Sequence, residues 1–294
     1  MIRNLVAGQY QFGDLVFGRG TTVNVESFDE KPYDVNVQDL QLSRNDEMYP
    51  GQDQLKPTTI ELTFHVRYNW LLPHHEGAIP NFWAEMPTVE DFAREWKSDE
   101  IRKIPGAVKP LYVCGRDGQT RMIFGRAGQF TAAENADYTE AIECMAEFRR
   151  LDTFAYDIIE NAVVISQGQL SRTVAGTGGN APSWFRLLLF GPINHPVFTI
   201  DNAYNQPGPI TVDFNYNVAP GEVVEICGYP WQRRVVNNAN PPLTLARQLI
   251  GGSPYLDRLR FDHRADLTVT MAATGLTADS QAQIRWHDAY QRAK

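Results

Sequence analysis

The sequence is short of cysteine. Its three, Cys114, Cys144 and Cys227, lie far apart and form no Cys-x-x-Cys pair. An odd, scattered set excludes a disulfide frame or zinc ribbon and fits free thiols, buried or half-buried, in a reducing compartment. No apolar run comes near the ~18 residues that a membrane helix needs, so no membrane partner is expected. The start, MIRNLVAGQY, turns polar too quickly for a signal peptide, and export by that route is not expected. Positive charge is also scarce: 27 Lys+Arg stand against 35 Asp+Glu, a formal net charge of −8. That balance excludes a protein that wraps nucleic acid stably. Neither Gly-x-Ser-x-Gly nor His-Glu-x-x-His occurs, which removes two hydrolase signatures. No cofactor, no metal and no catalytic residue is expected, and the chain reads as a non-enzyme.

The charge that is present is uneven. Residues 1–156 hold 16 basic and 24 acidic side chains, whereas 157–294 hold 11 of each. The imbalance suggests two units in different electrostatic surroundings, and 294 residues suit two domains.

Period-two alternation dominates. IELTFHVRY sets Ile60, Leu62, Phe64, Val66 and Tyr68 on one face and Glu61, Thr63, His65 and Arg67 on the other. ITVDFNYNV does the same with Ile210, Val212, Phe214, Tyr216 and Val218. These read as half-buried strands. In YDVNVQDLQL the phase slips at Gln38-Asp39, which reads as a bulge. LYVCGRDGQTRMIFG reads as a hairpin turning at Asp117-Gly118. Leu267, Val269 and Met271 alternate, as do Ile284 and Trp286. One helix is predicted over about 88–97: Thr88 and Asp91 have capping-box spacing, and Val89, Phe92, Ala93 and Trp96 form one stripe. The stretch 166–182, SQGQLSRTVAGTGGNAP, reads as a linker, so the junction falls between about 157 and 182. The fold class is all-β with one short helix, in two β-rich domains, 1–157 and 158–294.

The polar motifs read as structure. GTGGN at 176–180 is followed by Pro182 and a strand, whereas a phosphate cradle needs a helix. Among 35 acidic residues some pair always suits a glycosidase, so that signal is empty. FDHRAD (261–266) precedes a strand and reads as a turn; His74-His75 lies in a Pro-bounded loop; His65 lies on a polar strand face. In LLLFGPINHPVFTI, Gly191, Pro192, Asn194 and Pro196 are turn formers, and His195 reads as the corner between two strands.

Three segments then resemble one family, the distal tail proteins (siphovirus-type minor tail components) of long-tailed bacteriophages. They are YQFGDLVFGRGTTVNVESFD with LQLSRNDEMYPGQDQLKPTTIELTFHV, including Gly51; AIECMAEFRRLDTFAYD; and GGNAPSWFRLLLFGPINHPVFTIDN with VAPGEVVEICGYPWQRRVV. Thr153 stands where that family usually has proline. The resemblance implies an N-terminal ring domain, a β-sandwich or split barrel related to the tail-tube fold, and a C-terminal galectin-like β-sandwich. It implies a homo-hexameric ring at the distal end of the tail, made in the host cytoplasm. The ring would join the tail tube protein to the tail tip, the baseplate hub and the tape-measure protein, with a receptor-binding protein as a further partner. DNA would pass through without stable binding, and the acidic side chains of the first domain are expected to face that channel. The His-Asn-Arg set of sugar-binding galectins has no match. The alternative is a carbohydrate-binding module gripping a host glycan, with Tyr229 and Trp231 as stacking candidates; their other reading is turn packing. A glycoside hydrolase is a third reading.

Overall fold

The computed structural model describes residues 2–31, 34–37, 40–41, 48–49, 54–67, 87–133, 141–174, 178–201, 208–250, 256–262 and 264–293. Gln38-Asp39, Gly51, Tyr68, His74-His75, Gly176-Thr177 and His263, all singled out above, lie outside them. The chain divides into two compact units: unit 1 is Met1–Ala155 with Gln291–Lys294, and unit 2 is Tyr156–Tyr290. The last four residues, assigned by sequence to the second domain, therefore belong to the first.

Unit 1 is built on β1 (Gln9–Phe12), β2 (Leu15–Gly18), β3 (Val23–Asp29), β4 (Asp34–Asn36), β5 (Leu40–Gln41), β6 (Met48–Tyr49), β7 (Gln54–Lys56), β8 (Thr59–Arg67), β9 (Lys109–Cys114), β10 (Thr120–Ala132) and β11 (Ala141–Arg150), with helices α1 (Val89–Lys97) and α2 (Asp99–Arg102). Seven strands form an antiparallel run in the order β3, β8, β11, β10, β9, β1, β2. Two small ladders, β4–β7 and β5–β6, nest between β3 and β8 in the chain.

The helix forms where its signals lie. Thr88 accepts from the Asp91 amide while the Asp91 carboxylate accepts from the Thr88 amide, a complete capping box. Its stripe is aromatic. Phe92 lies 4.4 Å from Phe64 and 5.3 Å from Phe17; Trp96 lies 4.8 Å from Phe12 and 6.3 Å from Phe148, centroid to centroid. Strands from both ends of the run thus pack on one helix, and full burial of each ring contributes about 1.5–3 kcal/mol. The β9–β10 hairpin turns where predicted, with Gly118 at φ 75°.

The β1–β2 hairpin depends on Gly18, which sits at φ 100° with its missing Cβ pointed 2.4 Å from the carbonyl oxygen of Gly8. Gly18→Ala is expected to cost at least about 1–2 kcal/mol. Urea unfolding measures it, and an unchanged midpoint would show that the hairpin relaxes freely.

Unit 2 contains β12 (Ala155–Ser166), β13 (Ser171–Val174), β14 (Ser183–Phe190), β15 (Ile193–Asp201), β16 (Ile210–Asp213), β17 (Asn217–Val218), β18 (Val223–Cys227), β19 (Arg234–Asn237), β20 (Arg260–Phe261), β21 (Leu267–Thr274) and β22 (Gln281–Tyr290). One sheet runs β19, β18, β14, β22, β12, with β20 on β14; the other runs β13, β21, β15, β16, with β17 on β15. Phe185, Leu187, Val224, Ile226 and Ile284 from the first meet Phe198, Ile200, Val212, Val269 and Met271 from the second in one core. Two alternating sheets therefore face each other across a shared apolar layer.

Two expectations for this half change. The stretch 166–182 is not a linker between units: β13 lies within it and pairs with β21 from Ser171↔Thr270 to Val174↔Leu267. Its Ser, Arg and Thr residues suit an exposed edge strand, which composition alone reads as loop. The segment 210–218 is not one strand but two, β16 and β17. The break faces a bulge in β15 between Asn194 and Val197. There Pro196, with no N–H, accepts from the Phe214 amide, and the His195 amide donates to the Tyr216 carbonyl.

Candidate functional site

The alternation of unit 1 fixes which side chains face outward. In β11 Cys144, Ala146, Phe148 and Arg150 are buried, and Glu143, Met145, Glu147 and Arg149 are exposed. In β8 Ile60, Leu62, Phe64 and Val66 are buried while Glu61 is exposed. In β3 Asp29 is exposed. Register then brings the outward acids together. Glu147 lies opposite Glu61, and Glu61 lies opposite Asp29. Three carboxylates thus form one row across three neighbouring strands.

A second row places Glu143 opposite His65 and His65 opposite Asn24, with Glu26 3.7 Å from the His65 ring. Like charges directly opposite each other on a sheet destabilise it. Lys31 sits 3.8 Å from Asp29, but both side chains are exposed and such a pair offsets little. The strand pattern already put Glu61 on a polar face; only the pairing register reveals its neighbours, and no short motif encodes that register.

The residues singled out from the sequence have other roles. His195 is not the corner: Gly191 and Pro192 make the turn, and His195 lies inside β15 at the bulge, at φ 45°. Its Nε2 pairs with Asp213 Oδ1 at 3.0 Å on the exposed face. In FDHRAD, Asp262 accepts from the Arg264 amide ahead of β21, which is turn chemistry. Tyr229 is buried; its hydroxyl donates to Glu160, and its ring stacks on Trp231 at 4.9 Å, with Tyr156 edge-on to Trp231 at 4.8 Å. Both candidate sugar platforms are thus packed against other rings. All three cysteines are free and buried, and burial pushes the Cys144 thiol up to about 11 and the Cys227 thiol to about 12. Among the described residues no group of three or more His, Cys, Asp or Glu could hold a metal ion, and no helix is long and apolar enough to cross a membrane.

A second polar cluster lies on the outer face of the first sheet of unit 2. Arg186 and Arg285 stand directly opposite on β14 and β22. Glu160 reconciles them, accepting from Arg186 Nε and Nη2 at 2.8 and 2.7 Å and from Arg285 Nη1 at 3.3 Å. Glu225 accepts from Arg186 Nη1 at 2.8 Å and from Arg234 Nε at 2.6 Å. Two carboxylates thus hold three guanidiniums from β12 to β19, an arrangement that bolts the sheet together.

No family model and no curated protein matches the chain. Solved structures do, and they define the class first: a mostly β fold with one principal helix that is shared with components of phage tails. One is the SPP1 Dit protein, described as a paradigm of the hub adsorption apparatus in phages that infect Gram-positive bacteria. It is 12% identical, with a TM-score of 0.58 over 96% of this chain and 98% of that one. Chains of the phage P2 baseplate are also similar at 11% identity. The calcium form gives a TM-score of 0.51 over 95% of this chain and 97% of that one, and the strontium form 0.51 over 94% and 97%.

Proposed function

We propose that this chain is a structural, non-catalytic part of a long-tailed phage virion. Six copies would close a ring at the distal end of the tail tube, joining it to the tip or baseplate and to the host-recognition parts. The observation that carries this reading is the likeness to a hub protein along the whole length of both chains, unit 1 and unit 2 alike.

The acidic face of unit 1 gives the ring a physical task. A channel for DNA must not retain phosphates, and each cation presented to the backbone adds affinity. Carboxylate rows do the reverse, and their mutual repulsion is a standing cost that a merely solvated face has no need to bear. Glu61→Gln is therefore expected to stabilise the isolated chain by about 0.2–1 kcal/mol, read as a higher urea midpoint. A lower midpoint would mean that the row is not repulsive. The functional reading is tested on intact virions with labelled antibody. Decoration is expected where the tail shaft meets its terminal apparatus, and virions that never carry label there would refute it.

A further inference from the structure

The outer face of the first sheet of unit 2 carries an arginine that its network does not use. Glu160 and Glu225 hold Arg186, Arg234 and Arg285. Arg233, which directly precedes β19, is exposed, and among the described residues no carboxylate pairs with it. Its guanidinium carbon lies instead 5.1 Å from the ring centroid of Trp184. Arg260 lies over the same ring at 4.4 Å.

Local structure brings both cations to that ring. Trp184 stands two residues before Arg186 in β14, so the two side chains share the outer face. Arg260 is the direct partner of Trp184 in the β14–β20 ladder. The turn after β18, closed by the Gln232 amide donating to the Tyr229 carbonyl, leads to Arg233. The Gly228 amide donates to the Phe185 carbonyl at 3.1 Å and holds that turn against β14. Trp184 is only 4% exposed beneath these side chains. The stem of one arginine can cover an indole; a second brings a like charge to the same ring, a repulsion that an anion would remove. The ring contact also orders the Arg233 fork in advance, whereas a freely solvated arginine loses that freedom only when its ligand arrives.

The geometry points to an anion site on unit 2, in which Arg233, with Arg260 beside it on Trp184, receives the phosphate group of a phosphomonoester. The planar guanidinium fork donates two parallel N–H···O bonds to phosphate oxygens. A phosphomonoester carries a charge of about −1.5 to −2 at neutral pH, which answers two guanidiniums, whereas a carboxylate carries one charge. Carboxylates of the chain itself already serve the neighbouring arginines. The exposed position of Arg233 admits a phosphate attached to a larger body. The site stands on unit 2 alone and does not depend on the ring or its channel.

The test is a titration of the full-length chain at neutral pH and low ionic strength, followed by NMR at the Trp184 indole N–H, the signal lost in Trp184→Phe. Inorganic phosphate and methyl phosphate are both expected to shift that signal saturably, and sodium chloride at equal ionic strength is not. Arg233→Ala is expected to weaken both at least about tenfold. The melting temperature should not change, because the side chain is exposed. Arg233→Lys keeps the charge without the fork and should recover only part of the affinity. Acetate should bind at least about tenfold more weakly than phosphate. A shift that chloride reproduces, or that survives in Arg233→Ala, would overturn the site. Inorganic phosphate binding without methyl phosphate would mean an adventitious ion only, and acetate binding as tightly as phosphate would overturn the ligand class. None of these outcomes bears on the hub reading, which the virion labelling decides.

Discussion

Arg150→Ala is expected to destabilise unit 1 by about 3–5 kcal/mol, the usual result of leaving one member of a buried ion pair behind. The guanidinium is 0% exposed and Glu30 5%, with Nη1 3.4 Å from Glu30 Oε1. Nε donates to the Asp152 carbonyl at 3.1 Å and Nη2 to the Thr153 carbonyl at 2.7 Å. Glu30 in turn accepts from the Ala293 amide with both oxygens at 3.0 Å, and Ala293 sits in the unit 1 core. One cation therefore ties the end of β11, the segment after β3 and the returning C-terminus. Its loss strands the Glu30 carboxylate away from water. At roughly 2–4 °C per kcal/mol, the melting transition of unit 1 should fall by on the order of 10 °C. Arg149→Ala, one residue away and exposed, is the control and should stay within about 0.5 kcal/mol. Hydrogen exchange should show the loss in β9–β11 and not in β14–β18. Equal effects from the two arginines would refute the assignment.

The difference between those neighbouring arginines shows what the sequence carried. The alternation of Cys144, Ala146 and Phe148 continues inward to Arg150, so its burial could be read from phase alone. That Glu30 waits there, over a hundred residues upstream, could not. Helix α1 was legible because capping box and stripe are both local. Thr153, where the resembled family usually has proline, uses the N–H that proline lacks: its amide donates to Asp152 Oδ1 at 2.7 Å. Strand β13 was read as linker because an exposed edge needs no apolar period. The break between β16 and β17 was hidden because its cause, the bulge at His195-Pro196, lies on another strand. The acidic row was half legible: each strand showed its polar face, but the row exists only in the pairing of three strands.

Arg186→Ala should have the second large effect, a loss of about 2–4 kcal/mol in unit 2, reduced from the fully buried case because its partners keep some water. The pH dependence separates this pair from a packing role. Burial pushes the Glu160 carboxyl up, but the Arg186 fork and the Tyr229 hydroxyl outweigh it, so it titrates below the usual carboxylate range. A carboxyl depressed in the folded state contributes stability above its unfolded value, about 4.3, and loses it as pH falls through the folded value. His287 is depressed too, by burial first, with nearby Glu160 partly offsetting it. Its neutral form is favoured in the fold, so its contribution is present above about pH 6.5 and declines as pH falls. Unit 2 of the wild-type chain should therefore weaken in two stages on acidification, from below about pH 6.5 and again below about 4.3. Without Arg186 the Glu160 carboxyl loses its largest stabilising partner, and the lower stage should shrink or vanish. Arg186→Lys keeps the charge without the two-pronged geometry and should recover only part of the stability. Unfolding midpoints between pH 3 and 8 for the three chains decide the matter. Parallel acid profiles for wild type and Arg186→Ala would show that this cation does not hold the Glu160 charge in place.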